Sequence, residues 1–98
     1  MQIDATLAEA RAHADAGDAE AALEAAGRAH RAALELGDMV AQANALHCVA
    51  SVELRLLGKF AAALDSARHA AFQFQQAEVP QGECRALATQ AMAAANLP

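Results

Sequence analysis

The chain has 98 residues, of which 56% are apolar and 3% aromatic, with seven basic against twelve acidic residues for a formal net charge of −5. That length holds one small domain with a modest core, and apolar content supplied largely by alanine favours helix and argues against a β-sandwich. The basic residues (Arg11, Arg28, Arg31, Arg55, Lys59, Arg68, Arg85) form no cluster along the chain, which speaks against a nucleic-acid partner.

No apolar run reaches the roughly eighteen residues of a membrane span, and no basic-then-apolar leader opens the chain. Two cysteines, Cys48 and Cys84, are too few for a disulfide framework and fit a reducing, cytoplasmic setting.

Taken in order, residues 1–16 read as a first helix, with Asp4 as candidate N-cap and Leu7 as its large apolar anchor. Ala16-Gly17-Asp18 ends it: a glycine past a helix can adopt the left-handed conformation that stops it, and the following aspartate can cap the next helix. The second helix runs from about Ala19 to Leu36, with Glu20, Glu24, Arg28, Arg31 and Glu35 as a polar stripe. Gly27 lies in its middle at a cost of about 1 kcal/mol relative to alanine, for which a close helix crossing is the expected reason.

Gly37-Asp38 repeats the stop-and-cap signal. The third helix spans about Met39 to Leu57, with Leu46, Val49, Ala50, Leu54 and Leu57 as its apolar face. The fourth starts near Lys59, which cannot cap as aspartate does, and continues to about Ala77 with Phe60, Phe72 and Phe74. Phe72 and Phe74 stand two apart, so one is expected to pack inward and the other to be exposed. Val79-Pro80 closes it, because the residue before proline avoids helix while proline suits a first turn. A fifth helix covers about Gln81 to Ala95, and the short connections imply consecutive antiparallel hairpins.

A shift of forty-one residues lays Gly17-Asp18-Ala19-Glu20-Ala21-Ala22-Leu23 on Gly58-Lys59-Phe60-Ala61-Ala62-Ala63-Leu64, and Leu46 on Leu87. Alanine matches accompany these, though the glycine and leucine coincidences carry the repeat in so alanine-rich a chain. Two hairpins and half of a third follow, over about 1–37, 38–79 and 80–98.

These turns resemble those of the tetratricopeptide (TPR) repeats, whose second helix opens on Gly-Asp/Lys-aromatic-x-x-Ala-Leu. Gly58 to Leu64 matches that pattern, and Gly17 to Leu23 matches it without the aromatic. A TPR period is about 34 residues, so a longer period is similar to the long-helix variety in bacterial sensory and transcriptional regulators. HEAT and armadillo repeats, of about 40–47 residues, rival it on length but lack the turn. The resemblance implies an all-α, right-handed superhelix of stacked antiparallel hairpins whose first helices line a concave groove. Groove positions carried over are Asp4, Leu7, Arg11 and Ala14 on the first helix, Ala45, Cys48, Val52 and Arg55 on the third, and Ala86, Thr89 and Ala93 on the fifth. Such a groove offers mostly small and apolar side chains, with Arg11 and Arg55 as its cations.

No phosphate loop, nucleophile elbow or paired carboxylates are present, so no enzyme is expected, and no cofactor. His47 and Cys48 are adjacent and diverge by about 100° on a helix, which disfavours a shared metal. Cys84 stands in the first turn of the fifth helix, where the dipole gives some help to a thiolate. Leu87, Ala91 and Met92 form a face that a following helix would cover, since repeat arrays end in polar caps.

The chain is therefore expected to be the N-terminal piece of a longer protein, to pair as a homodimer through Phe72, Phe74, Leu87 and Met92, or both. The function expected is a protein- or peptide-binding regulatory scaffold. The rivals are a dedicated dimerisation module and a small-molecule or metal sensor using His47, Cys48 and Cys84.

Overall fold

A computed structural model describes residues 2–98. It contains five α-helices, α1 (Ile3–Asp15), α2 (Ala19–Leu36), α3 (Met39–Arg55), α4 (Phe60–Gln76) and α5 (Pro80–Ala95), and no strand among the described residues.

The helix ends follow local chemistry. Asp18 Oδ1 accepts from the Ala21 amide at 3.1 Å, and Asp38 Oδ1 from the Ala41 amide at 3.0 Å, so α2 and α3 are capped as their sequences foretell. Lys59 and Val79 supply no side-chain cap, while Pro80 takes the first turn of α5. Asp4 does not cap α1. Gln2 holds that position, which leaves Asp4 inside the first turn where its charge meets the helix dipole.

Gly17, Gly37 and Gly58 all take positive φ, at +81°, +67° and +63°. At the end of α4 the same left-handed position falls to Glu78, at φ 59°, and the amides of Glu78 and Val79 bond back to the carbonyls of Gln75 and Phe74. A side chain in that conformation costs about 1–2 kcal/mol, so this turn holds strain that its glycine counterparts do not.

Each helix packs on its chain neighbours, and in addition α1 meets α3 and α3 meets α5, whereas α2 and α4 make no such contact among the described residues. The helices thus form two layers, α1-α3-α5 over α2-α4. The shortest dimension, 18 Å, agrees with two helix diameters of about 10 Å each. The middle helix, α3, touches all four others.

That placement corrects the expectation of one apolar face on α3. Ala41, Ala43, Ala45, Cys48, Ala50 and Val52 are its buried residues, spread around most of the helix, while Leu46 and Val49 are only partly covered. The helix also ends at Arg55, so Leu57 falls in the turn, and it is 38% exposed.

The core is built mostly of alanine. Among the described residues, Phe74, Leu7 and Val52 are the large side chains sealed almost completely. Phe74 packs among Ala43, Ala70, Ala71 and Ala86, joining α3, α4 and α5. Leu7 with Ala29 and Ala45, and Val52 with Ala14 and Ala22, do the same for α1, α2 and α3.

Methyl-sized neighbours let helix axes approach closely, and the closest approach is at Gly82 rather than Gly27. A Cβ on Gly82 would stand 2.8 Å from Phe74 Cγ, inside contact distance, so α5 crosses α4 with bare backbone over the ring. A Cβ on Gly27 would meet only the Arg31 Nη1 atom at 3.5 Å, an ordinary contact. No crossing explains Gly27. Gly27→Ala is therefore expected to raise stability by about 1 kcal/mol, the helix-propensity difference, read as a higher urea midpoint with unchanged slope.

Candidate functional site

The outer face of the α1-α3-α5 layer carries a cavity of about 220 Å³. Its wall is Arg11, Ala14 and Asp15 from α1, Asn44, His47, Cys48, Ser51 and Arg55 from α3, and Arg85 from α5. Steps of three and four residues along α3 put 44, 47, 48, 51 and 55 on one stripe, so a single helix face furnishes most of the wall.

Charge is concentrated here against the balance of the chain: three arginines face one aspartate in a protein of net charge −5. The salt bridges among the described residues lie elsewhere. Arg28 Nε meets Glu24 at 2.9 Å, Arg28 Nη2 meets Glu9 at 3.2 Å, and His13 is near Glu9. The Glu24 hydrogen bond, with help from the charges of Glu24 and Glu9, raises the Arg28 pKa although burial opposes it. Arg11, Arg55 and Arg85 take part in no salt bridge among the described residues. Arg55 is oriented instead by a neutral partner, its Nε donating to Ser51 Oγ at 3.0 Å.

His47 ties α3 to α5. Thr89 Oγ1 donates to the Arg85 carbonyl at 3.2 Å, so its lone pair is left to accept from His47 Nε2, 3.0 Å away. Burial lowers the His47 pKa, and the Arg85, Arg11 and Arg55 guanidiniums lower it further, against the Arg85 carbonyl, which favours the charged ring. The ring is neutral at neutral pH. Burial raises the Cys48 pKa, and Asp15 adds to this while Arg11 and Arg55 oppose it, which keeps the thiol protonated and a poor nucleophile.

Of the groove positions expected from the sequence, Arg11, Cys48 and Arg55 border this cavity. Leu7, Ala45 and Val52 do not. They are 2%, 0% and 1% exposed because α2 lies beneath α1 and α3 and closes over them. Ala86 and Ala93 are likewise sealed, Ala14 stands at the wall, and Asp4 lies apart beside Gln2, Leu36 and Asp38. Thr89 is buried and acts on the cavity only through His47. The open face of α3 is thus turned by about one residue from the expected one.

Asn44, Ser51, Asp15 and Arg85 were not foreseen, and His47 was expected only in the small-molecule or metal sensor alternative. A signal for them existed in the polar stripe at 44, 47, 51 and 55, and in Arg85, which stands forty-one residues after Asn44. His47 and Cys48 do share one cavity wall despite their divergence, but Cys84 is exposed in a separate hollow with Pro80 and Gln81. Among the described residues no three His, Cys, Asp or Glu side chains converge as metal ligands.

The residues expected at a self-association face divide. Phe74 is 1% exposed, held inside by Gly82 and the surrounding alanines, and is unavailable to a partner. Phe72, Leu87 and Met92 remain open to solvent. A second group of exposed apolar residues, Leu34, Leu36, Met39 and Val40, flanks the α2–α3 turn. Among the described residues, no helix is long and apolar enough to cross a membrane.

Comparison with protein-family models, with curated proteins and with solved structures finds no match to this chain.

Proposed function

We propose that this chain is a recognition module, TPR-like in stacking α1 to α5 as two and a half right-handed hairpin repeats, and that the α1-α3-α5 face docks an acidic peptide or acidic segment of a partner protein. The reading rests on one observation above all. Three guanidiniums on three helices share a cavity with no carboxylate paired to any of them among the described residues.

Unpaired cations converging in a partly enclosed site gain most when a planar anion accepts from their forks. Asn44 and Ser51 add neutral donors that fix orientation, and Ala14 with Cys48 gives a small apolar floor. In this role the chain binds and does not catalyse.

The test is calorimetric titration with a hexaglutamate peptide. Arg11→Gln, Arg55→Gln and Arg85→Gln are each expected to weaken binding by about tenfold or more, the worth of a charge-assisted hydrogen bond, and binding is expected to fall with added salt. An uncharged hexaglutamine peptide binding equally well would remove this function.

A second reading, pairing of two copies through α5, is supported by the exposure of Leu87 at 46% and Met92 at 52%. Light scattering across a concentration series would then show a dimer, and Leu87→Glu a monomer.

A further inference from the structure

The α1-α3-α5 cavity holds one imidazole among three guanidiniums, and that imidazole is anchored at one nitrogen only. Nε2 is engaged by Thr89 Oγ1, whose own proton goes to the Arg85 carbonyl. Nδ1 makes no hydrogen bond among the described residues, yet it is not among the sealed polar atoms, of which Gln73 Oε1 alone lacks a partner. It is therefore not sealed off, and the ring borders the cavity.

The charged and titratable groups around the ring can be named element by element. Arg11 and Asp15 face it from α1, Cys48 and Arg55 flank it on α3, and Arg85 comes from α5, while α2 and α4 contribute nothing to the wall. Burial and the three guanidiniums both resist a proton on this ring, and burial holds the proton on Cys48.

A carboxylate seated on the guanidiniums reverses both conditions at once. It cancels much of the positive potential at the ring, and it places an acceptor where Nδ1–H can donate. The Thr89 oxygen accepts from Nε2–H in either state, so the ring has no need to turn.

We infer that the cavity takes up its acidic ligand together with a proton, which lands on Nδ1 of His47; this rests on the reading of the cavity as the acid-binding site. The balance is simple: one proton leaves solvent, one N–H bond forms, and the ligand carboxylate stays ionised.

The sign follows from linkage. Because the ring binds its proton more tightly with ligand than without, the added affinity is fully present below the ligand-free pKa. It is lost as pH rises through the higher, ligand-bound pKa. Affinity therefore falls by up to about tenfold per pH unit across the histidine range and becomes flat above it.

The experiment is titration of the intact chain with hexaglutamate between about pH 6 and 8, where glutamate is ionised. It is run at constant salt in two buffers of different ionisation enthalpy. The expected result is a buffer-dependent heat corresponding to uptake approaching one proton per peptide. Whatever binding His47→Gln retains is expected to show no uptake.

Imidazole NMR on the unmodified protein reads the same event directly, as an upward shift of one histidine pKa on adding peptide. That measurement holds even if the variant folds poorly. Peptide binding with no buffer dependence and no shifted histidine would overturn the proton coupling and leave the acid-binding site standing. Absence of peptide binding at every pH would overturn both.

Discussion

Phe74→Ala is expected to cost about 3–5 kcal/mol, the range for emptying a buried aromatic site. A chain of this size holds about 5–15 kcal/mol in all, so the variant should be largely unfolded in low urea. The reason is compositional. The ring is the one large aromatic sealed in a core otherwise made mainly of methyl groups, and it joins α3, α4 and α5. Alanine side chains are too short to collapse into the space it would leave. Urea unfolding followed by helical circular dichroism checks this, and a loss under about 1 kcal/mol would mean that α5 settles onto α4 without the ring.

Gly82→Ala is the second large effect, and its direction opposes helix propensity. The added methyl would press on the base of the Phe74 ring, which is 1% exposed and cannot swing aside. Overpacking costs about 1–3 kcal/mol, toward the upper end with several ring atoms crowded, against about 1 kcal/mol gained in helix propensity. A net loss of about 2 kcal/mol is expected, where Gly27→Ala gains. Pairing Gly82→Ala with Phe74→Leu should recover much of the loss, because the shorter side chain vacates the crowded space. A double-mutant cycle measures that coupling. Additive losses would show that Gly82 is required for some reason other than the ring.

Much of the fold was legible because it is written in short-range chemistry. Asp18 and Asp38 cap the helices that follow them, and Pro80 opens α5, as the residues alone imply. What was not legible depends on which layer a helix joins. Nothing local to α3 reveals that it has neighbours on nearly every side, so Leu46 and Val49 pass for a single apolar face, while Ala45 and Val52 pass for groove residues. The difference between Gly27 and Gly82 is likewise tertiary. Both are glycines inside helices, Gly27 in the middle of α2 and Gly82 in the first turn of α5, and it is the position of the Phe74 ring that makes one of them irreplaceable. Glu78 lay within reach, since the forty-one-residue shift sets it on Gly37, and the strained turn inherits a place that its counterpart fills with glycine. At the cavity, Arg11 and Arg55 were readable as cations on the correct helices. The third cation, Arg85, and the His47–Thr89 link required knowing how α5 lies against α3.

The layering also sets how the chain acquires its shape. Each helix meets partners no more than two elements away along the chain, so loops closed during folding are short and their entropic cost is low. A chain of this kind should collapse in microseconds to milliseconds, with helices forming faster still. Because α3 is the one element that touches all the others, neither half can finish before it is in place. Substitutions on its buried sides at Ala43, Ala45 or Ala50 should therefore slow folding itself, while those at the far ends of α1 and α5 should mainly hasten unfolding.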